Sequence, residues 1–94
     1  MVTAIILMKI ERGKINEVAE KLVEIPGISE VYSVSGRHDL VAIARVANNE
    51  KLSSLVTGEL QQLAAIQKTE TMLALQSYSR HVLETMFTVG ADGP

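Results

Sequence analysis

A chain of 94 residues holds one domain, and a domain of that size buries only about 60–65% of the surface its unfolded form exposes, so it has little stability to spare. A net charge of −2 with 3% aromatic residues supplies neither the positive field nor the stacking rings of a nucleic-acid surface, and direct nucleic-acid binding is not expected. The absence of Cys removes disulfides, thiolate metal sites and thiol nucleophiles, while an apolar content of 47% exceeds the needs of one small core and implies burial against other chains.

Val2 to Ile10 is short, β-branched and apolar on both sides, which predicts a strand, β1, covered on both faces. Its longest apolar run, Ala4 to Met8, is too short to span a bilayer, and Lys9 and Glu11 interrupt it where a signal peptide would continue. A soluble, unprocessed, cytoplasmic chain with no membrane partner is therefore expected. After Arg12-Gly13, the residues Ile15, Val18, Ala19, Leu22 and Val23 share one helical face and Glu17, Glu20, Lys21 and Glu24 the other. This predicts helix α1, ended near Ile25 by Pro26-Gly27.

Ile28 to Ser35 alternates and predicts β2, closed by Gly36. Leu40 to Val46 is nearly continuous in apolar residues, as an interior strand β3 would be. Asn48-Asn49 offers an N-cap, and Leu52, Leu55, Val56, Leu60 and Leu63 then repeat at the spacing of a helix, α2. Lys68 to Tyr78 has period two and predicts β4. Beyond it, Val82, Leu83, Met86 and Phe87 predict a short helical arm before a disordered Gly-Ala-Asp-Gly-Pro end. The organisation is thus one domain over residues 1–79 and an arm with a flexible tail over residues 80–94.

The order βαββαβ with right-handed crossovers predicts an α+β, ferredoxin-like fold: an antiparallel four-stranded sheet with two helices on one face. That topology places β1 and β3 in the centre, and these are the two strands apolar on both faces. Helices cover only one face, so the other needs a second cover. A second subunit related by a two-fold axis would supply it, giving a dimeric α/β barrel.

The densest polar group is Val34-Ser35-Gly36-Arg37-His38-Asp39. A hairpin turn explains it, since Gly supplies φ > 0 and Asp favours turns. A ligand site explains it too. Gly lets a ligand reach backbone N–H groups that hold a carboxylate, and Asp accepts from an ammonium group, a pairing that suits a free amino acid.

Val34-x-Gly36-x-x-Asp39 ahead of an apolar strand, the βαββαβ order, and Thr69-x-Thr71 in β4 together resemble the RAM domain, the ligand-binding half of Lrp/AsnC-type transcription regulators. The resemblance covers Val2 to Tyr78. In that family a DNA-binding helix-turn-helix precedes this domain; here Met1 leads at once into β1, as in a stand-alone member, and DNA binding is not carried over. The resemblance implies face-to-face sheet dimers that assemble into octamers or similar rings, with effectors such as amino acids held between dimers. It matches Gly36 and Asp39 to the effector loop, with Arg37 and His38 as its variable members, and Thr69 and Thr71 to the strand near the pocket. Arg37 suits a carboxylate, and the Thr hydroxyls suit either end of a zwitterion. Plain β-propensity also explains the two Thr residues. A full-length Lrp/AsnC regulator is a candidate partner.

No cofactor or metal is expected, because His38 and His81 lie on separate elements and the four Met residues read as core filling. Two other functions compete with an effector module. One is a small ferredoxin-like enzyme of isomerase or cofactor-free monooxygenase type, for which only His38, Asp39 or Tyr32 could act as acid or base; the other is an interaction protein without a ligand.

Overall fold

The computed structural model describes residues 1–80, with the elements β1 (Val2–Ile10), α1 (Ile15–Leu22), β2 (Ile28–Ser33), β3 (Leu40–Val46), α2 (Asn49–Ser54) and β4 (Ile66–Leu73). The expected arm, with His81, lies outside the described residues. The strands form one antiparallel sheet in the order β2-β3-β1-β4, so β1 and β3 are central as their two apolar faces require. Both helices lie on one face of it, the ferredoxin-like arrangement. No helix among the described residues is long and apolar enough to cross a membrane.

Strand parity separates the two faces. Ala4, Ile6 and Met8 of β1 and Leu40, Ala42 and Ala44 of β3 are fully buried beneath the helices, together with Leu22, and Val18, Leu55 and Leu60 complete this core. The alternate residues, Ile5, Leu7, Val41 and Ile43, point to the helix-free face and are only half-buried. Tyr32 opposite Val41 and Met72 opposite Ile5 widen that apolar patch; they are 49% and 43% exposed. One margin of the patch is polar. Arg45 Nη1 donates to Ser29 Oγ at 2.5 Å and to Glu30 Oε1 at 3.3 Å, and Tyr32 donates its hydroxyl to Glu30. The Tyr32 hydrogen bond, helped by Arg45, holds the Glu30 carboxyl below the usual carboxylate range, and the same bond pushes the Tyr32 phenol up.

Four elements differ from the sequence-based expectation. α1 ends at Leu22 rather than near Ile25, because Glu24 and Ile25 donate to carbonyls three residues back (Lys21 O and Leu22 O), tightening the last turn before Pro26. β2 stops at Ser33, where the Val34–Asp39 loop takes over. β4 starts two residues earlier than expected and ends at Leu73, not Tyr78; beyond Ala74, whose N–H reaches Thr3 O, residues such as Leu75 and Tyr78 leave the ladder and are exposed. Of the described Met residues only Met8 fills the core, for Met1 and Met72 are exposed.

The α2 segment is capped as expected, with Asn48 Oδ1 accepting the Lys51 N–H at 2.9 Å. It does not continue as one regular helix. A wide π-turn spans Leu55–Glu59 and a 3₁₀ turn spans Leu60–Gln62. Residues five apart on an α-helix lie about 140° apart around the axis, so Leu55 and Leu60 would diverge. The π-turn, closed by the Leu60 N–H on Leu55 O, swings both onto the sheet, where they are buried.

Gly27, between α1 and β2, has φ +100°, and its carbonyl accepts the Arg45 N–H at 2.8 Å. A Cβ there would meet Val46 Cγ1 at 3.0 Å and Leu55 Cδ1 at 3.4 Å. Gly27→Ala therefore combines backbone strain with overpacking and is expected to cost about 2–3 kcal/mol. Gly13 shares the positive φ (+84°) but has open space around it, so Gly13→Ala is expected to cost only about 1 kcal/mol. Thermal denaturation of the two variants checks this, and equal losses would assign no role to the Val46 contact.

Candidate functional site

The loop after β2 is pinned at both of its ends. Val34 N–H donates to Asp39 O at 3.1 Å, and Asp39 N–H donates to Met8 O at 2.9 Å, which lays the loop on the C-terminal end of β1. Gly36 makes the turn at φ +107° with nothing near the position of a Cβ. The two residues after it, Arg37 and His38, are thereby carried over the end of the sheet. There they line a cleft of about 360 Å³ with Lys9 of β1 and with Lys68, Thr69 and Glu70 of β4. That volume is at the small end of ligand pockets, which run roughly 300–1,000 Å³.

Three of the six sequence-derived candidates, Arg37, His38 and Thr69, meet in this cleft. Gly36 turns the chain ahead of Arg37 and is itself absent from the lining. Asp39 turns elsewhere, with Oδ2 accepting the Ile10 N–H at 2.8 Å. Ile10 lies beyond the last β1–β3 pair, Met8 with Leu40, so its N–H on that edge has no strand partner and is given to the carboxylate. Thr71 is two positions further along β4, opposite Ile6, and is absent from the lining. Lys9, Lys68 and Glu70 were not among the candidates. Their only signal in the sequence is charge at the end of apolar or alternating strands, and what unites them is register: Lys9 stands directly opposite Lys68, and Glu70 opposite Leu7.

A second cleft of about 370 Å³ shares Lys68 and Thr69 with the first and lies under the end of the α2 segment. Val56, Leu60, Leu63 and Ile66 give it apolar walls. Thr69 thus stands between a charged cleft and an apolar one.

The Lrp/AsnC ligand binding domain matches residues 3–83. The HTH-type transcriptional regulator FL11 of Pyrococcus furiosus is 37% identical over 75 residues, which cover 80% of this chain and 49% of that protein. The chain spans about half the length of the curated relatives it matches. Among solved structures, TTHA0845 from Thermus thermophilus superposes with a TM-score of 0.80 at 38% identity, over 85% of this chain and 100% of that one. The transcriptional regulator NMB0573 from Neisseria meningitidis, in complex with L-Met, shares the fold at 17% identity with a TM-score of 0.76, over 84% of this chain and 53% of that one. Sheet order, loop position and a match that runs almost the length of the chain agree, and the chain belongs to the Lrp/AsnC ligand-binding-domain family.

Proposed function

We propose that the chain is an effector-binding module, in which a free amino acid occupies the cleft under the β2–β3 loop and alters assembly of the chain or its contact with a regulator of the same family. The observation that carries this reading is convergence: the loop delivers Arg37 and His38 to the point where β4 presents Thr69, leaving one open cleft lined by donors and a carboxylate. The complex of NMB0573 with L-Met supports an amino acid as the ligand class in this fold. The cleft sits at the end of the sheet, and no helix residue lines it.

The helix-free face gives the assembly its first step. Two copies meeting through Ile5, Leu7, Val41 and Ile43 about a two-fold axis would bury the apolar patch that each helix layer leaves bare. An enzymatic reading finds less support, because Asp39 is engaged by Ile10 and the Tyr32 hydroxyl by Glu30, so neither is poised as a base beside an orienting partner.

A thermal-shift screen against the twenty amino acids, read with light-scattering mass, tests the proposal. A ligand at a hundredfold excess over Kd stabilises the bound form by about 2.7 kcal/mol, which for a domain of this size raises Tm by roughly 10 °C or more. At least one amino acid is expected to do so and to change the mass distribution. No shift beyond about 1 °C for any of them at millimolar concentration would remove the effector role.

A further inference from the structure

We propose that the loop cleft selects ligands carrying two carboxylates and one ammonium group, that is, acidic amino acids, over neutral and basic ones. This rests on the effector-site reading above and adds the charge class of the ligand. The cleft holds three basic side chains, Lys9, Arg37 and Lys68, against one acidic side chain, Glu70. The whole chain is by contrast net negative at −2, so the cationic excess is local.

Within the described residues no ion pair neutralises these cations; every one lies elsewhere, at Lys14–Glu17, Lys21–Glu17 and Arg45–Glu30. Lys9 Nζ donates to Arg37 O at 3.2 Å, which uses one of its three N–H donors and leaves two. Lys9 and Lys68 are cross-strand partners, and like charges directly opposite each other in a sheet destabilise it. A small domain that places two lysines face to face and adds Arg37 over them has a cleft whose charge a bound anion completes.

The stoichiometry of charge sets the class. An acidic amino acid brings two negative groups and one positive, which complement three cations and one carboxylate with both signs engaged. Charge-assisted hydrogen bonds from Arg and Lys hold the carboxylates, and Glu70 receives the ammonium group. A neutral amino acid leaves one more cation unmatched. A basic amino acid adds a positive charge to a site already in excess.

Titration calorimetry of the full chain at low ionic strength with L-glutamate, L-glutamine and L-lysine tests this, since glutamine matches glutamate in shape and lacks its second charge. Glutamate is expected to bind at least about tenfold more tightly than glutamine, lysine to bind most weakly, and the margin to shrink with added salt. Glutamine or lysine binding as tightly as glutamate would overturn the charge selection while leaving an effector site in place. Absence of heat from all three, with a neutral apolar amino acid binding instead, would overturn it in the same way; no binding by any amino acid would end the effector reading itself. Lys68→Gln localises the effect: it is expected to cut glutamate affinity about tenfold, hold glutamine within about threefold, and leave Tm unchanged or raised because the lysine pair is gone. Unchanged glutamate affinity in that variant would overturn the assignment to this cleft.

Discussion

Ile5→Glu is expected to scatter light as a single chain of 10.2 kDa at micromolar concentration, while the parent protein elutes no smaller than a dimer. Ile5 stands at the middle of the helix-free face, with Ile43 opposite it on one side and Met72 on the other. In the isolated chain its side chain is half-buried and points away from the core formed by Ile6, Met8, Leu22 and Leu40. A carboxylate there can reach water in the monomer, so folding tolerates it. In a face-to-face dimer the two-fold axis places the change at two points of one interface, and each buried, unpaired carboxylate costs several kcal/mol. Loss of an Ile from burial adds about 1.5–3 kcal/mol per copy. A circular-dichroism spectrum like that of the parent separates dissociation from unfolding. A variant that remains dimeric would show that copies meet through another surface, and a monomeric parent would show that the patch has no such role.

The sheet was legible in the sequence because two independent constraints coincide. Leu40 to Val46 and Val2 to Ile10 are apolar at successive positions, and the ferredoxin-like topology needs two such strands at its centre. Ends were less legible. The period-two pattern of β4 continues through Ser77 and Tyr78, but only Ile66–Leu73 has a partner strand to pair with, and β1 runs out at Val2. The irregular end of α2 was invisible for another reason: Leu55 and Leu60 satisfy a loose amphipathic pattern, and only contact with the sheet shows that a wide turn is needed to bury both. At the site, local chemistry pointed to Arg37 and His38, which are close in sequence to a turn glycine. Lys9 and Lys68 are 59 positions apart and became neighbours only through strand register, which no motif in either segment encodes.

Asp39 is where reading the loop as a motif and reading it as a structure make different predictions. As a motif member it is expected to accept from a ligand's ammonium group; in the fold its Oδ2 accepts the part-buried Ile10 N–H, and its own N–H reaches Met8 O. Asp39→Ala deletes the acceptor and leaves the Ile10 N–H without its partner, a loss of about 1.5–3 kcal/mol for a hydrogen bond to a charged group, or roughly 6–20 °C in Tm for a domain of this size. Because the same bond ties the loop to β1, Arg37 and His38 lose their placement over Lys68 and ligand affinity is expected to fall with it. Asp39→Asn keeps an oxygen acceptor for Ile10 while removing the charge, and is expected to recover more than half of the lost Tm. Measured together, the two variants separate the roles. If Asn restores both stability and binding, Asp39 acts by holding the loop and the ammonium group is received elsewhere, at Glu70. If Asn restores stability and binding stays lost, the carboxylate itself touches the ligand, and the loop must shift on binding to bring Asp39 to the cleft.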